Sequence, residues 1–294
     1  MTPLLTILLK ISLVIFMAGN LLEMGLRLDP RDALRGLRNV RFVALTLFWG
    51  FVVGPALAYA IPLVIPLDPT YAAGLILMGM TPCAPFLPMI VNKAKGDLGF
   101  TAAFMLLSAA GTVLFMPLAV PLMLPGLSVS AWTIAKPLLA VVLFPMAVGM
   151  LVLRASRRMA FQVQPWVKKV TGLFTVATLV LLVVVYGRGL LGVPGSLAVA
   201  AQLVFFSVVT FVPYWVGLGL LHEQKIVLST GMATRNLGAA FAPLLAVAAA
   251  DQRATVMVVL GFPIMVLFAM LAAKWCRPAG SPADEAPPAP LEAA

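Results

Sequence analysis

The chain has 294 residues, of which 62% are hydrophobic and only 10% charged, and its formal net charge is +10. A soluble domain keeps roughly a quarter of its residues charged, so most of this surface must meet lipid, and the mean hydropathy of +1.08 agrees. Two cysteines, Cys83 and Cys276, and one histidine, His222, exclude a disulfide framework or a zinc site.

Apolar stretches of about 20 residues recur along the whole chain, each long enough to cross ~30 Å of hydrocarbon as a helix. A β-barrel needs alternating apolar and polar residues, and runs such as Val176 to Val185 do not alternate. The expected fold class is an all-α membrane protein. Nine spans are placed at 3–28, 40–65, 70–93, 97–124, 132–153, 168–187, 194–220, 225–249 and 253–275. The first lacks a basic leader and a small-residue cleavage site, so it reads as a span and not as a signal peptide.

The connections alternate in charge. One side carries Arg27, Arg31, Arg35, Arg38, Arg41, Lys93, Lys95, Arg154, Arg157, Arg158, Lys168, Lys169, Lys225, Lys274 and Arg277. The opposite loops hold Arg188 and Arg253, while Lys10, Lys136 and Arg235 fall within spans. By the positive-inside rule the basic side is cytoplasmic. That sets the N-terminus outside, the C-terminus in the cytoplasm, and the charge as a mark of orientation, with no nucleic-acid partner. The Pro- and Ala-rich segment 276–294 reads as a disordered cytoplasmic tail after a transmembrane domain over 1–275.

Two spans are abnormal. The third carries Pro82, Pro85 and Pro88 in TPCAPFLP. Each proline removes a donor and clashes with the turn before it, at ~3 kcal/mol in a helix interior. One proline kinks a span; three so close together predict unwinding. The eighth holds the stretch Ser229 to Gly238, which sets Arg235 near mid-membrane beside Thr230, Thr234 and Asn236. A central arginine costs at least ~2.5 kcal/mol, so it is expected to face a partner, a cavity or a substrate, since its central place makes snorkelling awkward. The loop charges run these two spans in opposite directions, the signature of an inverted-repeat transporter with a midplane site. Half-helix N-termini there favour anions.

These residues resemble the bile acid:sodium symporter family over nearly the whole chain. The similar stretches are Glu23-Met-Gly-Leu-Arg-Leu, Gly54-Pro55, Met80-Thr-Pro-Cys-Ala-Pro with Asn92-Lys-Ala-Lys-Gly-Asp97, and Gly231-Met232 with Arg235-Asn236. The resemblance implies two inverted repeats, here four plus five helices with the first helix of the ten-helix form lacking. It implies a core of spans within 40–124 and 194–275 that carries two crossed, unwound helices, and a panel from 3–28 and 132–187. It implies alternating-access transport of bile acids or other organic anions, usually with sodium. The expected location is the cell inner membrane, as a multi-pass protein whose partners are the bilayer and a small organic anion, with no protein partner implied.

The departures from the family carry as much weight. Where sodium-coupled members place carboxylate and amide ligands, this chain aligns Ser229 or Thr230, Ala233-Thr234, Leu87-Pro88 and Gly50. No Asp or Glu lies in the middle of a span, and Glu23 near the end of the first comes closest. The candidate substrate-binding residues are Arg235, Asn236, Thr234, Thr230, Pro82, Cys83, Pro85 and Pro88. A sodium site built without a carboxylate would draw on Thr101, Ser108, Ser229 and Met232, together with Thr230, Thr234 and Asn236. The expectation is that Arg235 supplies as a fixed charge what sodium supplies elsewhere, by neutralising a half-helix C-terminus or by pairing with the substrate through its planar fork. Coupling to sodium is then altered or absent, and no other cofactor is expected.

Other readings fit less well. An enzyme is not expected: Cys83 has no neighbouring base to activate it, and His222 reads as a solvated loop residue. A sodium/proton antiporter would need an intramembrane acid. A channel would not need two broken helices, and its flux would not saturate. Lys10 and Lys136 read as snorkelling lysines, and the 16 methionines as packing. A bile acid-like anion and smaller carboxylates such as pantoate or keto acids fit the same logic.

Overall fold

The structure, a computed structural model, describes residues 3–28, 30–124, 130–191, 193, 195–246 and 252–277. The tail expected over 276–294 lies, beyond residue 277, outside the described residues, as does the end of the eighth expected span from residue 247. The described residues are helical, with no strand, as the composition predicts. The helices in chain order are α1 (Pro3–Arg27), α2 (Pro30–Leu37), α3 (Val40–Phe48), α4 (Gly54–Val64), α5 (Pro69–Gly79), α6 (Leu87–Ala94) and α7 (Leu98–Met123). They continue with α8 (Ala131–Leu138), α9 (Phe144–Ala155), α10 (Arg157–Leu191), α11 (Ala198–Val216), α12 (His222–Ala233), α13 (Leu237–Ala246) and α14 (Gln252–Trp275).

Among the described residues, 7 helices are long and apolar enough to cross a membrane. Two of them are α3–α4 and α8–α9, each continuous through a π-helical turn, Trp49–Val53 and Leu139–Leu143. Both turns come just before a proline, Pro55 and Pro145. A proline ring collides with the carbonyl one turn back, and the wider π-turn moves that carbonyl aside. The expected spans at 70–93 and 225–249 are the exceptions: each is broken into two short helices, α5 and α6, and α12 and α13.

Local chemistry sets the helix starts. Asn39 caps α3 by accepting from the Phe42 amide at 3.0 Å. Asp68 caps α5 from the Thr70 amide at 2.8 Å. Asp97 caps α7 from the amides of Gly99 and Phe100, at 2.7 and 3.1 Å. Each supplies an acceptor for an orphan amide of a first turn. One start lies far from expectation. The sixth span was expected from residue 168, but α10 already begins at Arg157 and runs 35 residues. Arg, Lys and Gln interrupt hydropathy without opposing helix formation, so the helix continues into its basic extension.

Packing divides along the chain. Helix α1 lies against α9 and α10, while α14 lies against α5, α11 and α12. The α1–α9 contact is backbone to backbone. A Cβ on Gly149 would stand 2.5 Å from the Leu22 carbonyl oxygen, and one on Gly25 would run into that of Met146. Small residues let membrane helices approach this closely. Gly25→Val is therefore expected to destabilise the detergent-purified protein by about 1–3 kcal/mol, as overpacking does. Gly172→Ala, where a Cβ meets nothing within 4 Å, should stay within about 0.5 kcal/mol. Thermal unfolding of the two variants checks this, and equal midpoints would refute the contact's importance.

Candidate functional site

The two breaks lie against each other. Helix α5 ends at Gly79, two residues before the Thr81-Pro82 step, where the residue ahead of a proline is pushed out of the α region. The chain stays unwound to Phe86, with Cys83 in the left-handed region at φ 76°. All three prolines were expected to lie in the unwinding. Pro82 and Pro85 do, but Pro88 sits in the first turn of α6, where its missing N–H has no helical partner to lose. Helix α12 ends at Ala233, and Thr234 is extended. Asn236 then caps α13, its side-chain oxygen accepting from the Ala239 amide at 3.1 Å.

Pro82 and Arg235 form an isolated antiparallel β-bridge. The Cys83 amide donates to the Thr234 carbonyl, and the Asn236 amide to the Thr81 carbonyl, both at 2.9 Å. The Thr234 hydroxyl accepts from the Ala84 amide at 3.1 Å and donates to the Gly231 carbonyl at 3.0 Å. Each broken helix thus supplies the hydrogen-bond partners the other has lost.

Arg235 is 0% exposed. Its guanidinium carbon stands 4.9 Å from the ring centroid of Phe205 on α11, a cation–π distance. Among the described residues Nε, Nη1 and Nη2 make no hydrogen bond, and no carboxylate pairs with the group. Nη1 lies 3.9 Å from where a Cβ on Gly54 would be, and the Gly79 carbonyl oxygen lies 2.9 Å from that same point. The charge is therefore set near the carbonyl end of α5, the end of a helix that favours a cation.

A cavity of about 660 Å³ is walled by α1, α6, α7 and α10. Asn20, Glu23, Arg27, Asn92, Thr101 and Lys168 give it polar lining, with Pro85 and Pro88 on the side of the break. Asn20 and Pro85 also line a hollow of about 20 Å³ that reaches Arg235 and Asn236. Glu23 accepts from the Gln164 side chain at 3.0 Å and pairs with Arg27 at 3.5 Å.

The predicted residues do not form one constellation. Pro82, Cys83, Thr234, Arg235 and Asn236 meet at the crossing, whereas Pro85, Pro88 and Thr101 line the large cavity. Thr230 and Ser229 are buried within α12, donating to the carbonyls of Ile226 and Thr210 at 2.6 and 2.7 Å. Met232 reaches Gly50, its Cε 3.5 Å from where a Cβ there would be. Thr101 donates to the Asp97 carbonyl at 2.8 Å, and the Ser108 hydroxyl makes no hydrogen bond. His222 is the first residue of α12 and shares a 2.9 Å hydrogen bond with the Tyr214 hydroxyl. Gly54 and Phe205, which surround the guanidinium, and Asn20, Asn92 and Lys168 on the cavity wall were not among the candidate site residues, although Gly54 and Asn92 stood in the family stretches and Lys168 among the basic loops. For Gly54 the Gly-Pro step was a usable signal; for Phe205 no local signal exists.

These features define a multi-pass helical membrane protein organised around a pair of broken helices. Residues 13–193 match the Sodium Bile acid symporter family, and the chain belongs to that family of membrane transporters. The matched range includes the stretches around Glu23, Gly54-Pro55 and Met80 to Asp97, and stops before α11. No curated protein matches the chain.

Thr234→Val removes the acceptor of the buried Ala84 amide while keeping the side chain's volume. A loss of about 1–3 kcal/mol is expected in thermal unfolding, with Thr234→Ser close to wild type. If Val and Ser unfold alike, the hydroxyl is not what joins the two segments.

Proposed function

We propose that the protein is a secondary transporter of a small organic anion, bile acid-like or a smaller carboxylate, that works by alternating access without sodium coupling. The observation that carries this is the complete burial of Arg235 at the crossing, with Phe205 and the carbonyl end of α5 around it and, among the described residues, no carboxylate beside it. A permanent guanidinium neutralises the end of a half-helix, the task a bound sodium ion would otherwise perform. Its place beside Gly54 and Phe205 favours that role over a direct grip on the substrate. The polar wall of the neighbouring cavity then receives the anion.

In this proposal the two broken pairs count as crossings, giving nine spans in two inverted repeats of four and five. The segments within 40–124 and 194–275 form a core that rocks against a panel from 3–28 and 132–187. The protein sits in the cell inner membrane, with its N-terminus outside and C-terminus in the cytoplasm, as the distribution of Lys and Arg supports.

One observation favours a second reading, a sodium-coupled symporter that uses hydroxyl ligands. Ser108 and Thr112 on α7 are buried with hydroxyls that make no hydrogen bond. They share a helix face with Phe104, which packs on Gly231 of α12.

Uptake of radiolabelled taurocholate and pantoate into proteoliposomes, in sodium or choline chloride, separates the two. The first reading predicts saturable uptake that is equal in both salts. It also predicts that Arg235→Ala lowers uptake about tenfold or more, equivalent to ~1.4 kcal/mol. Uptake that requires sodium and is lost in Ser108→Ala would establish the second reading, and flux that never saturates would make the protein a channel.

A further inference from the structure

If Arg235 is a fixed charge, nothing at the crossing can move with the substrate as a coupling ion. The geometry points to Glu23 as a proton-coupling site: an anion entering the cavity takes Arg27 from Glu23, and the freed carboxylate takes up one proton. This inference rests on the anion-transport reading above.

Glu23 is the one carboxylate on the wall of the 660 Å³ cavity among the described residues. Its side chain is 15% exposed, against 58% for Arg27. The pair is loose, at 3.5 Å between residues one helical turn apart, and the exposed Arg27 end can turn to another partner at little cost. Both contacts of Glu23, from Arg27 and from Gln164, fall on the same oxygen, Oε1. Oε2 is left to receive a proton.

The charged surroundings are one-sided. Arg27 of α1 and Lys168 of α10 line the same cavity. Lys168 and Arg27 also line an adjoining cavity of about 540 Å³ with Lys169. The other helices against this wall contribute neutral groups, Asn92 from α6 and Thr101 from α7. Helix α9 carries Arg154 in its last turn, and α13 carries no titratable side chain.

The exchange balances. A substrate carboxylate, drawn in by Arg27 and Lys168, replaces Glu23 as the partner of Arg27. A carboxylate enclosed without its cation is costly, and protonation removes that cost. The proton comes from water at the cavity mouth and joins Oε2; no other bond is made or broken. Gln164 continues to donate to Oε1, which accepts in either protonation state. Loading a monoanion thus adds one negative and one positive charge, both of which leave together on the other side, and the proton gradient drives the anion.

Proton uptake by the purified, weakly buffered protein tests this directly, with a pH-indicator dye and taurocholate, pantoate and 2-ketoisovalerate as probes. Wild type should take up about one proton per anion bound, and its affinity should strengthen as pH falls, by up to about tenfold per unit. Glu23→Gln, a neutral mimic of the protonated acid that leaves Arg27 free, should bind more tightly at neutral pH and take up no proton. Binding without proton uptake in wild type, or uptake unchanged in Glu23→Gln, overturns the coupling and leaves the anion reading standing. Should Glu23→Gln fail to fold, an affinity in wild type that does not vary between about pH 6 and pH 8 overturns it as well. Failure of every probe to bind removes the anion reading, and this inference with it.

Discussion

The crossing of two unwound backbone segments inside an apolar protein is the constraint on which the rest of the structure depends. Every backbone N–H and C=O must find a partner at that depth, because lipid offers none. The bonds between Thr81–Ala84 and Thr234–Asn236 meet that demand reciprocally, so neither break is tolerable without the other. The need for close approach follows. A Cβ on Gly50 would come 3.1 Å from the ring of Pro82, and one on Gly54 would fill the space between the Gly79 carbonyl and the guanidinium. The same few bonds lie between the ends of α5 and α12 and the starts of α6 and α13.

Placing an arginine at this crossing changes what the site can do. A bound cation is taken from one side of a membrane and released on the other, and its gradient can drive a substrate. A guanidinium on the chain neutralises the same helix end but never leaves. In the proposed reading it stabilises the crossing beside Phe205 and the carbonyl end of α5 and transmits no gradient. On that reading any driving force enters elsewhere, and the charged groups of the cavity wall, Glu23, Arg27 and Lys168, lie on α1 and α10, away from the crossing. The permanent charge and the exchangeable ones are separated in space.

How much of this was legible in the sequence depended on how local the signal was. The run TPCAPFLP announced a break because proline acts on its own turn, and Ser229 to Gly238 announced the second by setting a charge among small and hydroxylated residues. The motifs near Glu23, Gly54 and Met80 carried the family, and the family match covers them. Register was harder. Pro88 belongs to α6 because the first helical turn tolerates proline, which spacing alone does not reveal. The start of α10 at Arg157 was hidden because hydropathy measures the slab and not the helix. Phe205 was invisible as a partner of Arg235, since it comes from α11 and only tertiary packing brings it there.

The same separation explains why Glu23 read as peripheral in the sequence. It lies near the end of the first span, one turn from Arg27, and an i, i+4 pair there resembles ordinary surface decoration. What changes its meaning is the cavity. Enclosure by α6, α7 and α10 turns one face of α1 into a wall. On that wall, Asn20 borders the hollow that reaches Arg235, Glu23 follows a turn later, and Arg27 after another. A stripe spaced at three and four residues therefore leads from the basic mouth to the crossing. Its order along one rigid helix means that a ligand's charge meets the exchangeable pair before the permanent one. In the proposed mechanism a carrier whose deep charge is fixed needs an exchangeable pair on the cavity wall, because Arg235 neutralises a helix end and leaves the anion to that wall.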